Sequence, residues 1–533
     1  MNIGIDFGTT NSIISFFDDN KKAYDFIKFG NQTLDFFPTM IAYKKSAPTD
    51  VIIGEAAKLK QFSADYDIYN LFKFLLGKQA NYMNGRAKSP LEVTKDFFSK
   101  IINETESIRQ TEITGIVLAV PDTWKNDDKN KIAVDNLIKV FSELGFDTQT
   151  QIIFESEPVA ATAYYCKEIC NGTYKGYCLV IDYGGGTLDL TLCKVGEDNQ
   201  ITVLRRCGDG GSNGYGCAGV AFDRALTRRI IKKYNLDTKK YKDSSPFFVA
   251  LCNDVENNKI ACCENTRKVM NKYYSNYDTF TKQSYTDEVA FTVTDSRSFG
   301  ADYEVLASDI AETFEEVNAD ALTEALNTMK NYCTELGVNI NSQDSFRVLT
   351  VGGFSNLYSV EHICRESFDS SSGLIDSRFD TEMRKGNRTA TAIANGAAII
   401  ADGRVKVDYL CQTDIGFYYY DISSKDEKHK TVISKGDHVL DCLEPIFTNL
   451  TLYNTNIGNG AEIKLFLNDG SGKITFYIDK PFKALCPDSE NEDNCYQIGF
   501  SMNRCRMPML HIRDKNGKEN VYSLNSITKI FEV

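Results

Sequence analysis

Two short turns in this chain carry residue types suited to holding a phosphate tail and its metal ion. The first closes the run Ile3-Gly4-Ile5-Asp6-Phe7 with Gly8-Thr9-Thr10-Asn11, and the second closes Leu179-Val180-Ile181-Asp182-Tyr183 with Gly184-Gly185-Gly186-Thr187. Small residues at a strand end let backbone N–H groups approach phosphate oxygens with no bulky Cβ substituent in the way. An aspartate ending each first strand can hold hydrated Mg²⁺, an ion that keeps several of its waters. Either turn alone is most simply a turn. The pattern Ile-Asp-aromatic-Gly, then small residues, then an apolar return, nevertheless recurs from Asp6 to Asp182. Duplication of a whole hairpin implies two related lobes. Two such turns facing each other across a cleft would grip a phosphate tail from both sides.

The elements that must position these turns are visible in outline. Ile116-Val117-Leu118-Ala119-Val120 is a continuous apolar run, as expected of a strand buried on both faces. A polar helical stretch is expected from Asn126 to about Leu144, and helices over 220–270 and 300–336. Phe346–Val351 reads as a strand that ends in Gly352-Gly353, and Ala390–Ala401 as an alanine- and isoleucine-rich helix stopping near Gly403. From Tyr409 the texture changes. Short alternating runs are separated by turn signals at Ser434–Asp437, Asn456–Gly460, Asn468-Asp469-Gly470 and Lys515-Asn516-Gly517. This predicts an all-β module of about eight strands, with Val405–Asp408 as the candidate linker.

Bulk properties narrow the function. At 533 residues the chain should hold several folding units, and 42% hydrophobic with 25% charged residues is a globular composition. A net charge of -13 argues against nucleic acid as main partner. No apolar run is long enough to span a membrane, and no signal peptide precedes the first motif, so a cytoplasmic location is expected. The 16 cysteines form no C-x-x-C pair and read as scattered free thiols. No G-x-x-x-x-G-K-[ST] occurs. The one G-x-G-x-x-G, Gly214–Gly219, has no clear strand leading directly into it and mainly lysines some twenty residues on, which disfavours a dinucleotide fingerprint.

With these motifs the chain resembles the 70-kDa heat-shock, or DnaK-like, chaperone family within the wider actin-like superfamily. The likeness runs through Phe37–Tyr43, Ile53–Lys58, Leu71–Lys78, Val120-Pro121, Glu155–Ala161, Glu256–Ile260, Phe314–Asp320 and Val351–Gly353, and ends with Leu510–Glu519. It implies an α/β two-lobed actin-like ATPase domain of duplicated ribonuclease-H-like lobes over 1–403, a linker over 404–410, and an all-β sandwich for peptides over 411–533 with no helical lid. The expected cofactors are ATP or ADP with Mg²⁺, and K⁺ as a further ion. The expected partners are unfolded or extended peptides, a J-domain co-chaperone and a nucleotide-exchange factor, with no nucleic acid and no membrane.

The resemblance also implies roles. Asp6 and Asp182 would position Mg²⁺ through water. Gly8, Thr9, Thr10, Gly184, Gly185, Gly186 and Thr187 would bind phosphates, with Gly219 in the second lobe's phosphate loop. Lys73 would neutralise charge on the γ-phosphoryl, while Glu157 and Asp182 orient the attacking water and Thr187 completes the catalytic set. Asp189 would fix the second hairpin. Glu256 and Lys259 would reach the ribose. Ile260, Gly352, Gly353 and Asn356 would line the adenine. Departures are plain: Asn356 stands where the family has an arginine on the base, Ala390–Gly396 lacks two acidic residues, Ala218-Gly219 replaces a glycine pair, and Val405-Lys406-Val407 replaces a leucine-rich linker. The competing expectations are a small-molecule kinase of the same superfamily and an ATP-switched scaffold.

Overall fold

Asn2–Phe7 (β1), Asn11–Asp18 (β2) and Ala23–Phe26 (β3) run as an antiparallel meander, and Gly115–Val120 (β4) and Ile152–Ser156 (β5) extend it in parallel, giving the order β3-β2-β1-β4-β5. The pattern then repeats. Gly176–Tyr183 (β6), Leu188–Val195 (β7) and Ile201–Asp209 (β8) form a second antiparallel meander, and Phe346–Val351 (β9) lies parallel to β6. At the place corresponding to β5, Phe379 makes a single parallel bridge to Val348. The duplicated hairpin of the sequence is therefore part of a duplicated sheet. The structure is a computed structural model describing residues 1–30, 32–76, 88–121, 124, 131–148, 150–209, 217–243, 245–298, 300–370, 376–380, 382–385, 388–411, 413–453, 461–468, 473–480, 495–503 and 508–524.

The centre of each sheet is buried on both faces. Ile3, Ile5, Leu179 and Ile181 are fully buried, which is why these runs are apolar. Two helices rich in small residues cover them. Glu157–Tyr164 packs on β6, and Arg388–Ala401 packs on β1 and against Glu157–Tyr164. Glycine makes the approach possible at two points. A Cβ on Gly4 would lie 2.1 Å from the backbone nitrogen of Ala398, and one on Gly396 would lie 1.7 Å from the carbonyl oxygen of Ala160. Backbone cannot yield at such distances, so both positions need glycine. Ser15 Oγ donates to Asn395 Oδ1 at 2.6 Å, tying β2 to the same helix.

The chain divides into two units, Met1–Lys406 and Val407–Val533. Within the expected 404–410 segment, Val407–Tyr409 is a short strand and Leu410 bridges to His438. The second unit contains two antiparallel sheets. One has the order Asp426–Ile433, Asp414–Asp421, Ala461–Asn468, Lys473–Lys480. In the other, Cys495–Met502, Pro508–Asp514 and Glu519–Ser523 are neighbours in turn, and the short strands Ile446–Phe447 and Leu452–Tyr453 pair with Cys495–Met502. The turns expected at Asn456–Gly460 and Asp469-Gly470 lie outside the described residues.

Some helical expectations need correction. The 220–270 stretch is two helices and most of a third, Gly219–Lys233, Pro246–Ala261 and Cys263–Ser275. The 300–336 stretch begins as a strand: Ala301–Leu306 pairs antiparallel with Val289–Asp295, and the helices Ala307–Val317 and Ala319–Glu335 follow. Buried Tyr303 and Val305 alternate with exposed Asp302 and Glu304, the two-residue period of a half-buried strand. The 126–144 helix is observed over Lys131–Glu143; residues 125–130 lie outside the described set. No helix among the described residues is long and apolar enough to cross a membrane. The described cysteines are free thiols.

Candidate functional site

Asp6 and Asp182 end equivalent strands, and the two turns that follow them meet. A Cβ on Gly186 would lie 2.5 Å from Thr9 Oγ1, and one on Gly185 would lie 3.2 Å from Thr10 Oγ1. The two turns are thus in direct contact, and side chains on these glycines would force them apart. Each turn is pinned from behind. Thr39 donates its backbone N–H to the Thr10 carbonyl at 2.7 Å and its hydroxyl to the Gly8 carbonyl at 2.8 Å. On the other side, Gly184 N donates to the Thr187 carbonyl at 3.2 Å, and Gly184 and Gly185 carbonyls accept from Gly219 N and Val220 N at 3.1 and 2.8 Å. The helix Gly219–Lys233 therefore spends its first free N–H groups on the second turn.

Lys73 and Glu157 complete the constellation. Glu157 is the first residue of its helix, directly after β5, with Pro158 next; proline suits this first turn because its missing N–H would have had no intrahelical partner. Lys73 sits on the short helix Phe72–Leu75, entered through Leu71 at φ 56°. Phe72 is fully buried against Phe7 and Phe97, with ring centroids 6.0 and 5.3 Å away, which fixes the helix. Lys73 Nζ bonds Glu157 Oε1 at 2.7 Å, and both side chains are buried. The ammonium also lies 5.7 Å from the Phe7 ring and 5.5 Å from the Trp124 ring, faces that attract a cation.

This end of the site is electrostatically crowded. Burial, then the charge of Glu157, pushes Asp6 up to about 7, against the pull of Lys73. Burial, then Glu157, Asp189 and Asp6, raises Asp182 well above the ordinary carboxylate range. Asp182 and Asp189 face each other directly across β6 and β7. Asp182 Oδ2 is buried with no hydrogen-bond partner among the described residues. One lysine cannot neutralise this group of buried carboxylates, so the residues fit a divalent cation. No three such side chains among the described residues converge to ligate an ion directly.

The other end of the site is more open. Gly352 follows β9 at φ 82°, and a Cβ there would lie 2.5 Å from Asp182 Oδ1 and 2.6 Å from the Tyr183 carbonyl, so glycine is required on both counts. Gly353 is exposed, with nothing within 4 Å of its Cβ position. Phe354 turns inward against Tyr183 and Phe222, at 5.0 and 5.3 Å. Asn356 Oδ1 accepts from Thr389 Oγ1 at 3.1 Å and its Nδ2 donates to the Gly353 carbonyl at 3.3 Å, so its amide is already occupied locally. Lys259 reaches the same aromatic group: its Nζ lies 5.4 Å from the Phe354 ring and pairs with Asp223 Oδ1 at 2.6 Å. Burial pushes Asp223 up to about 6, with Glu256 adding to it against Lys259. Ile260, beside Lys259, is 44% exposed.

The residues singled out in the sequence thus fall into two groups. Asp6, Thr9, Thr10, Lys73, Glu157, Asp182, Gly185, Gly186 and Asp189 gather at the crowded end. Gly353 and Asn356 gather with Lys259 around Phe354 at the open end, with Gly352 between the groups. Thr39, Trp124 and Asp223 were not anticipated. Thr39 could have been suspected from its place in Phe37–Tyr43, but nothing in a helical sequence marks Asp223 as the partner of a lysine 36 residues on.

Residues 79–461 match the family model described as Hsp70 protein. Among curated proteins, the chain is 28% identical to the chaperone protein DnaK of Endomicrobium trichonymphae over 213 residues, 39% of this chain and 32% of that protein. It is 28% identical to the DnaK of Trieres chinensis over 258 residues, covering 44% and 38%, and to that of Mycoplasmopsis pulmonis over 241 residues, covering 45% and 37%. These alignments span 32–38% of each relative's length, while the family model covers most of this chain. The protein belongs to the Hsp70 family.

Proposed function

We propose that this chain is a DnaK-like chaperone that hydrolyses Mg-ATP between its two repeated sheets and couples hydrolysis to the binding of extended apolar peptides by its second unit. In this reading the repeated sheets are the ribonuclease-H-like lobes of an actin-like ATPase, and the second unit is a β-sandwich. The observation that carries it is the contact of the two turns, Thr9 and Thr10 against Gly185 and Gly186, together with Asp6 and the buried Asp182, Glu157 and Lys73.

Phosphoryl transfer to water asks the protein for positioning and charge stabilisation more than for covalent chemistry. The turns Gly8–Thr10 and Gly184–Thr187 would hold the phosphate tail from opposite sides. Lys73 Nζ would leave or share Glu157 and face the transferred phosphoryl group, offsetting the charge that develops there. Glu157 and Asp182 would accept hydrogen bonds from the attacking water and orient it. Mg²⁺, held through water by Asp6 and Asp182, would supply charge neutralisation on the phosphates, and K⁺ is a further candidate ion. At the open end, Glu256 and Lys259 would reach the ribose, with Ile260, Gly352, Gly353 and Asn356 around the base. A J-domain protein and a nucleotide-exchange factor are the partners this function calls for.

The test is single-turnover hydrolysis by Lys73→Ala. Removing one electrostatic donor costs about 3 kcal/mol, roughly a hundredfold in rate. The variant should bind nucleotide and lose turnover by that factor. Turnover equal to wild type removes Lys73 from the mechanism.

A further inference from the structure

The second unit opens with a segment held against a turn further along the chain. Asp408 Oδ2 pairs with His438 Nδ1 at 2.5 Å, and its Oδ1 accepts from Leu440 N at 3.2 Å. Leu410 bridges to His438. Cys411 N donates to the Asp437 carbonyl at 2.8 Å, and Gly436 N donates to the Cys411 carbonyl at 2.8 Å. A 3-10 turn, Val439–Cys442, follows at once. These bonds bring Cys411 and Cys442 to the same place, and their side chains are within hydrogen-bonding reach of each other. Both are free and buried. They lie beside an exposed turn: residues 434–438, 440–441 and 443–444 are exposed.

We propose that Cys411 and Cys442 form a dithiol–disulfide couple, a modification site that staples the first segment of the second unit to the turn after its first hairpin. The bond would close residues 411–442 into a loop containing both strands of the hairpin Asp414–Asp421 and Asp426–Ile433. The co-reactant is a low-molecular-weight disulfide. One protein thiolate attacks a sulfur of that disulfide and expels one thiolate, leaving a mixed disulfide on the protein. The second protein thiolate attacks the protein-side sulfur and expels the other. Two protein thiols and one small disulfide become one protein disulfide and two small thiols.

Burial pushes Cys411 up to about 12 and raises Cys442 as well. Both thiols are raised, so the reaction is slow at neutral pH and accelerates with alkalinity. A second close pair serves as an internal contrast. Cys166 and Cys178 are also within reach of each other, but both have no exposure in the core of the first unit, whereas Cys411 and Cys442 lie beside an exposed turn.

The experiment uses the full chain in dilute solution, oxidised with glutathione disulfide, alkylated under denaturing conditions and digested without reduction. Mass spectrometry should find a peptide pair joined through Cys411 and Cys442, absent after dithiothreitol, with Cys166 and Cys178 alkylated. In Cys442→Ser the pair disappears and Cys411 does not link to another cysteine. The proposal is overturned if Cys411 and Cys442 both remain alkylated, if they carry only glutathione, or if they pair with other cysteines instead of each other. The wild-type map decides the matter even if the serine variant does not fold.

Discussion

The two ends of the proposed nucleotide site are built on different principles. At the phosphate end, backbone turns touch, a lysine and a glutamate are buried in an ion pair, and two aspartates are held above their ordinary range. At the base end, Gly353 is exposed, Ile260 is 44% exposed, and Asn356 spends its amide on Thr389 and Gly353. Tolerance to substitution should follow this difference. The phosphate end is fixed by close contact and charge, so a single added methyl matters. The base end has room, so affinity can be added there.

A matched pair of glycine substitutions should break the comparison if it is wrong. Gly186→Ala places a Cβ 2.5 Å from Thr9 Oγ1, whereas Gly353→Ala meets nothing within 4 Å. Overpacking costs about 1–3 kcal/mol, so Gly186→Ala should weaken Mg-ATP binding roughly tenfold to a hundredfold, while Gly353→Ala stays within about twofold of wild type. Calorimetric titration of both variants measures this. Equal losses would mean that the turns are not the binding element.

The charge at the phosphate end gives a larger pH signature than the base end, where Asp223 is raised only to about 6. The folded-state Asp6 is raised from 3.8 to about 7. Its contribution to stability is therefore fully present below about 4 and is lost as pH rises toward 7, because the desolvated group must then ionise. A bound cation favours the carboxylate, so Mg-nucleotide binding should release protons below pH 7, with affinity rising about tenfold per pH unit for each proton released. Titrations in buffers of different ionisation enthalpy count the protons. Asp6→Asn should release about one fewer, and an unchanged count would place the ionisation elsewhere.

The smallest effect belongs to the base end. Stacking of a base on a planar cationic side chain contributes roughly 1–3 kcal/mol, and Asn356 offers no such plane. Asn356→Arg should tighten ATP about tenfold and sharpen its discrimination from GTP. No change would show that another side chain already covers that face of the base.

Much of the phosphate end was legible in the sequence because its geometry is local. Asp6 with Gly8–Thr10, and Asp182 with Gly184–Thr187, are contiguous, and backbone pairing dictates where each aspartate ends. The repeat also exposed the duplicated sheet. What the sequence did not show depends on long-range packing. The need for glycine at 4 and 396 exists only because two backbones pass close together. Trp124 over Lys73, and Asp223 under Lys259, depend on how separate elements dock. The strand Ala301–Leu306 was read as helix because its two-residue period is short and abuts a strongly helical stretch.

The coupling of the two units is the central claim, and peptide release tests it most directly. A labelled apolar peptide bound to the nucleotide-free chain is mixed in a stopped-flow instrument with buffer or with Mg-ATP. Release should be faster on mixing with Mg-ATP, and equally so in Lys73→Ala, which should bind ATP and turn it over about a hundredfold more slowly. A release rate identical with and without ATP, in a protein shown to bind and hydrolyse it, would contradict the account and leave an ATPase with no hold on its β unit.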